Sequence, residues 1–582
     1  MPGARRALAP FFLAILASVV TARGSFPPTI KPNIVFILTD DQDRMLGRDD
    51  YTRLGSVEVM PTVMGRLVAE GTWFENFFVN TPICCPSRTE FFTGRYFHNL
   101  KAFEKSSMQG DPELTAESSE ATCMHANTTS VGLKDQGLFG LLTSAGYNTG
   151  IFGKTTNNQL WMLDHLAGQR SVSFIDSPID YNNFDGLPYY HYGQQDGTRH
   201  VETLDPHKPR FGTTYQTAQI GNRSLSWLRG ALKEGAPFFA YLGFHAPHFP
   251  ATPAPWHRHL MKDVSIPRTP NYNISCPDKA QHVRQNPGLS DLAHCWENVM
   301  FRDRWLSLLA VDDVVKSILE ELERAHVLDK TYVIYTSDHG YKQGQWRIGT
   351  SKQHPYETDV RIPFIVRGPG VSHGASVSEM SGNIDLLPTL LDLAGAAHAI
   401  PSAVDGKSLA PLLLPGRPAD RSPWRDRMLN EYLSVGTYYN DHSPAWDDGS
   451  AVISCGGRMP NSPRGSIPGG RCKESTGVGS GNCYFVDSTH SNSWRALRVL
   501  NRSHNFQYVE YDPAWLFQEQ PLQHYELYDL SSDPYQLHNV YGSTSASMKS
   551  ALHTELADYS RCQGKTCPGH TSAGVWKRAI LV

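Results

Sequence analysis

The sequence predicts an α/β protein with a largely parallel sheet covered by helices, followed by a smaller, disulfide-stapled C-terminal domain. Three observations lead there. Short continuous apolar runs, rich in β-branched residues, recur along the chain as strands buried on both faces do. Helical patterns lie between them, and strands alternating with helices build parallel sheets. Charged or imidazole residues follow directly after three of the runs, at the carboxyl ends of strands, where open α/β sheets bind their ligands.

Taken in order, Arg5 and Arg6 precede an apolar run over 8–20 that ends in the small residues Val20-Thr21-Ala22. That is the pattern of a secretory signal over residues 1–22. The run is shorter than the roughly 20 residues that span a bilayer. No later stretch is long and apolar enough, so no stable membrane insertion is expected. The first strand is Asn33–Thr39 (NIVFILT), and similar runs lie at 237–244, 332–336 and 362–366. Residues 305–326 carry Leu308, Leu309, Val311, Val315, Ile318, Leu319 and Leu322 at helical spacing. A Pro/Arg-rich stretch at 415–425 reads as a linker between a catalytic domain over 30–420 and a smaller α+β domain over 425–582. Within the latter, a Gly/Ser-rich, cysteine-bearing stretch (445–483) precedes alternating segments at Trp494–Leu500 and 525–530.

Composition narrows the function. The 582 residues hold 53 Lys+Arg against 57 Asp+Glu, without long basic runs, which argues against nucleic acid as a partner. The 48 Gly and 39 Pro indicate many loops on a globular chain and exclude collagen, coiled coil and wholesale disorder. In a secretory compartment most of the ten cysteines are expected in disulfides. Cys276/Cys295 and Cys562/Cys567 are spaced like local staples, while the remaining connectivity stays open. Zinc is disfavoured because two CxxC-type pairs are lacking. Sequons at Asn127, Asn222, Asn273 and Asn501 suit the same compartment.

The residues after the strands are Asp40-Asp41, His245 with His248, and Asp338-His339. Any one pair reads as turn residues. Together, adjacent acidic groups at one sheet edge need a cation to offset their repulsion, and three carboxylates plus one more ligand suit a divalent metal. The sharpest motif is Cys84-Cys85-Pro86-Ser87-Arg88, followed by Thr93-Gly94-Arg95. Pro86 suits a first helical turn. Cys84 then stands at a helix N-terminus that favours an anion, with Arg88 one turn on to grip a tetrahedral oxyanion. A vicinal pair of structural cysteines is the plainer reading of Cys84-Cys85 alone.

C-x-P-S-R followed by T-G-R resembles the signature of the type I sulfatases, an alkaline-phosphatase-like family whose first cysteine becomes formylglycine (3-oxoalanine). PNIVFILTDDQD, TSDHG, KQHPYE, IPFIVRGPG, NIDLLPTLLDLAG and ELYDLSSDPYQLHNV continue the likeness in the family's order, over roughly residues 32 to 545. The form of these motifs is most similar to N-acetylglucosamine-6-sulfatases, heparan endosulfatases and algal arylsulfatases.

The resemblance implies a large, mixed, mostly parallel sheet between helices and hydrolysis of a sulfate ester on a sulfated glycan or an aryl sulfate. Cys84, as hydrated formylglycine, would attack sulfur and then expel sulfate. Asp40, Asp41, Asp338 and His339, with residue 84, would hold one Ca2+. Arg88 would hold the modified side chain, and Lys154, His248 and Lys352 would neutralise sulfate charge and protonate the leaving group. A formylglycine-generating enzyme is the implied partner, with a secreted, extracellular or lysosomal destination.

There are departures. Thr156 stands where many members have a histidine, and glucosamine-6-sulfatases, which also lack it, carry an Asn near Asn157. His339 replaces the commoner Asn, although imidazole is softer than calcium prefers. His245 has no implied role beyond packing or a substrate contact, and His98-Asn99 is a candidate wall of the substrate pocket. Its outer wall is expected from loops over 155–210 and from the C-terminal domain. A phosphatase or phosphodiesterase of the same superfamily would use Ser or Thr and usually two zinc ions. A silent glycan-binding protein on the same fold would have no need of Cys84, Arg88, Lys154, His248 and Lys352.

Overall fold

Alternation along one strand organises the two layers around the main sheet. Ile34, Phe36 and Leu38 of β1 (Asn33–Thr39) face one apolar cluster, whereas Val35 and Ile37 face another. The computed structural model describes residues 31–100, 136–155, 213, 215–248, 251–284, 286, 288–289, 291–415, 424–433, 492–511 and 524–567, and three further strands. The expected signal at 1–22, the 445–483 stretch, most of the linker, Asn127, Thr156 and the loops between the strands of 155–210 lie outside the described residues.

The remaining strands of the main sheet are β2 (Thr72–Phe74), β4 (Asn148–Gly153), β5 (Val172–Phe174), β6 (Pro188–Tyr192), β7 (Arg199–Thr203), β8 (Phe238–Gly243), β9 (Thr331–Ser337), β10 (Phe364–Arg367) and β11 (Ala375–Val377). Their order is β11-β2-β10-β9-β1-β8-β4-β5-β6-β7. At its centre β9, β1, β8 and β4 run parallel, and β10 is antiparallel to both β9 and β2. A two-stranded sheet pairs β3 (Phe77–Phe78) with β12 (Ser381–Gly382).

Helices α1 (Cys84–Thr93) and α4 (Leu386–Leu393) cover one face, with Phe91, Phe92, Leu387, Leu390 and Leu391 in the cluster of Phe36. Helices α2 (Gln216–Glu234) and α3 (Asp291–Arg324) cover the other, through Ile220, Leu225, Leu308, Val311 and Val315. The four predicted strand runs all fall on strands, and the 305–326 pattern falls on α3. That helix begins 14 residues earlier than the pattern indicates, because its first turns pack Ala293, Phe301 and Trp305 against loop residues Leu46 and Tyr272.

A second, antiparallel sheet follows the order β13 (Arg427–Tyr432), β14 (Trp494–Leu500), β15 (Asn505–Tyr511) and β16 (His524–Asp529). Helix α5 (Ala546–Tyr559) packs on it through Leu552 and Leu556. Its other face joins the main core, since Trp494, Ala496, Val509 and Tyr511 cluster with the main-sheet apolar residues. The described residues from 32 onward accordingly form one compact unit.

Candidate active site and metal centre

Parallel neighbours place their carboxyl ends side by side, so β9, β1, β8 and β4 deliver four segments to one edge. Strand β1 delivers Asp40 and Asp41, β9 delivers Asp338 and His339, β4 delivers Lys154, and β8 leads to His245 and His248. The N-terminus of α1 brings Cys84 into the same cluster, with Ile83 as its cap and Gly94, at φ 68°, ending the helix. Two glycines make the approach possible. Lys154 N donates to Gly243 O at 2.7 Å, and a Cβ on Gly153, whose φ is 80°, would lie 2.0 Å from that same oxygen.

The nine residues predicted to hold the metal or act on the sulfate converge: Asp40, Asp41, Cys84, Arg88, Lys154, His248, Asp338, His339 and Lys352. Asp40, Asp41, Cys84, Asp338 and His339 are buried, and their ligand atoms, with that of His248, form two overlapping clusters in which the atoms lie within 4.8 Å of one another. Cys84 Sγ lies 3.3 Å from Asp40 Oδ1, 3.3 Å from His339 Nε2 and 3.1 Å from Lys352 Nζ. Asp41 adopts φ 64°, which Asp tolerates, and its N–H donates to Asp338 Oδ1 at 3.1 Å. Arg88 donates through Nε to Asp338 Oδ2 at 2.8 Å and through Nη1 to Lys154 O at 2.7 Å. Lys154 Nζ reaches Asp40 Oδ2 at 2.5 Å, and Lys352 Nζ reaches Asp41 Oδ1 at 2.8 Å. His248 Nε2 lies 3.9 Å from Asp41 Oδ2. Only His248 and Lys352 of this group are half-buried, so the centre opens on their side.

Burial of Asp40 works to raise its carboxyl, but Lys154, His248, Arg88 and Lys352 hold it well below the usual range. Burial and Asp40 push the Cys84 thiol up, Lys154 and Lys352 pull it down, and it rests at about 7. Burial disfavours imidazolium at His339, yet Asp338 raises it to about 9. Three carboxylates this close in a buried site fit a hard, oxygen-seeking dication that replaces some of these protons and ammonium contacts. His339 is the one nitrogen donor in the set Asp40, Asp41, Asp338 and His339, and its Nδ1 contacts Gly340 O at 2.9 Å, leaving Nε2 aimed at the cluster.

Two expectations need correction. His98 and Asn99 are structural: His98 Nδ1 lies 2.7 Å from Glu431 Oε1 of β13 and its Nε2 3.0 Å from Cys562 O, while Asn99 donates to Asp405 and Cys562 O. A turn that looked free to line a pocket is instead pinned beneath the second sheet. Cys276 is a buried free thiol although Cys295 is disulfide-bonded, so these two are not paired; Cys562–Cys567 is a disulfide as expected. Cys85 is disulfide-bonded, whereas Cys84 beside it is free. His245 is 1% exposed and lies within electrostatic reach of Lys154, Asp40, Arg88 and His248.

Sequence reasoning missed Arg304. Its Nη2 donates to Asp41 O at 2.6 Å and lies 3.3 Å from Asp43 Oδ1, and its Nη1 donates to Pro247 O at 3.3 Å. One guanidinium thus ties the segments after β1 and β8 together. The loop bearing Lys352 is fixed by Lys342, whose Nζ bonds Lys352 O and Asp359 Oδ2, and by Trp494 of β14, which donates to Gln353 O at 3.0 Å.

The chain matches the family described as Sulfatase over residues 32–396. It is 28% identical to the N-acetylglucosamine-6-sulfatase of Capra hircus over 555 residues, 94% of this chain and 86% of that one. It is 33% identical over 408 residues to the extracellular sulfatase SULF-1 homolog of Drosophila melanogaster, 69% of this chain but 33% of that relative. The arylsulfatase of Chlamydomonas reinhardtii is 27% identical, over 96% of this chain and 79% of its own. Among solved structures, a protein in complex with its substrate D-glucosamine-2-N,6-O-disulfate shares the fold at TM-score 0.61 and 20% identity, covering 90% of this chain and 97% of that one.

Proposed function

From membership of the sulfatase family, which makes this chain a sulfate-ester hydrolase, we propose that residue 84 acts as formylglycine beside one calcium ion on a sulfated sugar. The observation that carries the reading is Cys84, a free buried thiol at the first turn of α1, ringed by three carboxylates, an arginine and two lysines. Oxidised to formylglycine, residue 84 supplies a hydrated aldehyde as nucleophile, and calcium bound by Asp40, Asp41, Asp338 and His339 supplies positive charge to the sulfate. Arg88 fixes Asp338 and orients residue 84. Lys154 and Lys352 hold ammonium groups where an anionic ester would enter, and they favour charge developing there over bulk water. His248, half-buried at the mouth, can hand a proton to the departing alcohol.

N-acetylglucosamine-6-sulfatases align over 86% and 89% of their own length and algal arylsulfatases over 79% and 76%, so the fuller alignment supports a sulfated glucosamine. The reading includes a formylglycine-generating enzyme as partner and a destination outside the cell or in the lysosome. Among the described residues no helix is long and apolar enough to cross a membrane.

Mass spectrometry of the tryptic peptide 67–88 tests it, after reduction because Cys85 is disulfide-bonded. The expected result is an aldehyde at residue 84, with loss of sulfate release in Cys84→Ala and an unchanged melting curve. A fully active enzyme with an unmodified thiol overturns the mechanism.

A further inference from the structure

We propose that a second pocket, beside the catalytic centre, binds another anionic sugar unit of the same glycan, with Arg44 as its anchor. The proposal rests on the sulfated-sugar reading above. The cavity holds about 640 Å3, within the roughly 300–1,000 Å3 of small-molecule sites. Arg44 and Trp73 form its base at 3% and 9% exposure, Arg361 and Glu75 line its side, and Arg53 and Glu58 stand exposed at its rim.

Arg44 stands apart from most of the buried arginines. Arg88, Arg304, Arg425 and Arg498 each pair with a carboxylate (Asp338, Asp43, Asp385 and Glu357), and Arg95, which also lacks an ion pair among the described residues, donates to Gln136 Oε1 at 3.1 Å. Among the described residues Arg44 forms no ion pair. Its Nε has no hydrogen-bond partner, its Nη1 meets only Met45 Sδ at 3.9 Å, and its guanidinium lies 5.8 Å from the Trp73 ring. An unpaired buried cation is destabilising unless a ligand completes it. Burial and the neighbouring charge of Arg361 work against the protonated guanidinium and outweigh the carboxylates of Glu357, Glu75 and Glu58, and an oxyanion in direct contact would offset that balance.

The rest of the lining suits a sugar. Arg361 is committed to Glu75 O, Asn76 Oδ1 and Glu357, so it is a rigid post. Trp73 offers an apolar edge, and Glu58 and Glu75 offer acceptors for hydroxyl groups. A carboxylate or sulfate on the sugar would take the bidentate position on Arg44.

The topology places the pocket on the catalytic edge. Strand β2 is antiparallel to β10, which is antiparallel to β9, so β2 runs parallel to β1 and Glu75 leaves the sheet on the same side as Asp40. Three strand spacings of about 4.8 Å separate β2 from β1, roughly 14 Å. A chain of sugars spans that distance, and a single aryl ester does not.

The test compares kcat/KM for a heparin-derived tetrasaccharide with that for 4-nitrocatechol sulfate, in wild type and in Arg44→Met. The ratio of the two is expected to fall about tenfold, equivalent to 1.4 kcal/mol. Arg53→Ala, exposed and unable to disturb the core, is expected to lower the ratio severalfold. An unchanged ratio in both variants overturns the proposal. Calorimetry of the tetrasaccharide on Cys84→Ala, with and without Arg44→Met, separates the pocket from the chemistry. Arg44-dependent binding with no wild-type turnover of any sulfate ester defeats the mechanism and keeps the pocket. Turnover with Arg44-independent binding does the reverse.

Discussion

Lys352 stands between Asp41 and the Cys84 sulfur, so in the proposed mechanism it would serve both the carboxylate and the reacting position. Lys352→Met should lower kcat about 100-fold or more, as removal of one preorganised charge donor does, measured as released sulfate under saturating substrate. Arg304 is a positioning residue: it grips backbone oxygens on two segments with a planar fork. Arg304→Lys should reduce kcat more than it raises KM, and the lysine should fail to rescue what Arg304→Met loses. Both Lys154 and Lys352 were legible only through their place in family motifs, since isolated lysines look like solvated surface. Arg304 was not legible at all. It sits in an amphipathic helix among other charged residues, and nothing in spacing says that it points inward under Asp41.

At the scale of elements, β1, β8, β9 and β10 announced themselves because continuous apolar runs are buried on both faces, and α1 did so through Pro86 in its first turn. Strand β4 did not: NTGIFG is short and holds two glycines. Both serve packing: Gly153 lets β4 and β8 meet backbone to backbone just before Lys154, and Gly150 leaves room for the Trp227 ring. Gly243→Ala would set a Cβ 2.0 Å from Lys154 O, an atom that cannot swing aside. It should destabilise the fold by more than about 1 kcal/mol and reduce activity further by shifting Lys154, read by melting and kcat together. The turn carrying His98 gives a pH signature. Burial lowers its imidazolium, Glu431 raises it more, and it rests at about 9 against an ordinary 6.5. Its stabilisation is complete below about pH 6.5 and disappears as pH rises through 9, up to about 3 kcal/mol. Melting between pH 6 and 10 should show that loss in wild type and not in His98→Gln.

For the whole molecule, the sequence foretold two sheets but not their interdependence. Alternation in Trp494–Leu500 signals a strand; it does not signal that Trp494 would hold the loop of Lys352. If a cation holds Asp40, Asp41 and Asp338 together, chelation should lower the melting temperature as well as activity. At a hundredfold excess over its Kd the ion contributes about 2.7 kcal/mol, and added calcium should restore both. The burial of residue 84 also sets a deadline. Its side chain is 2% exposed in the finished fold, next to a cysteine already in a disulfide. If residue 84 becomes formylglycine as proposed, the enzyme that reaches this sulfur would compete with folding and with thiol oxidation during synthesis. A chain that closed first would be stranded, correctly shaped but without its nucleophile. The active fraction of a preparation would then record the outcome of that race, and incubating folded protein with the modifying enzyme should not raise it.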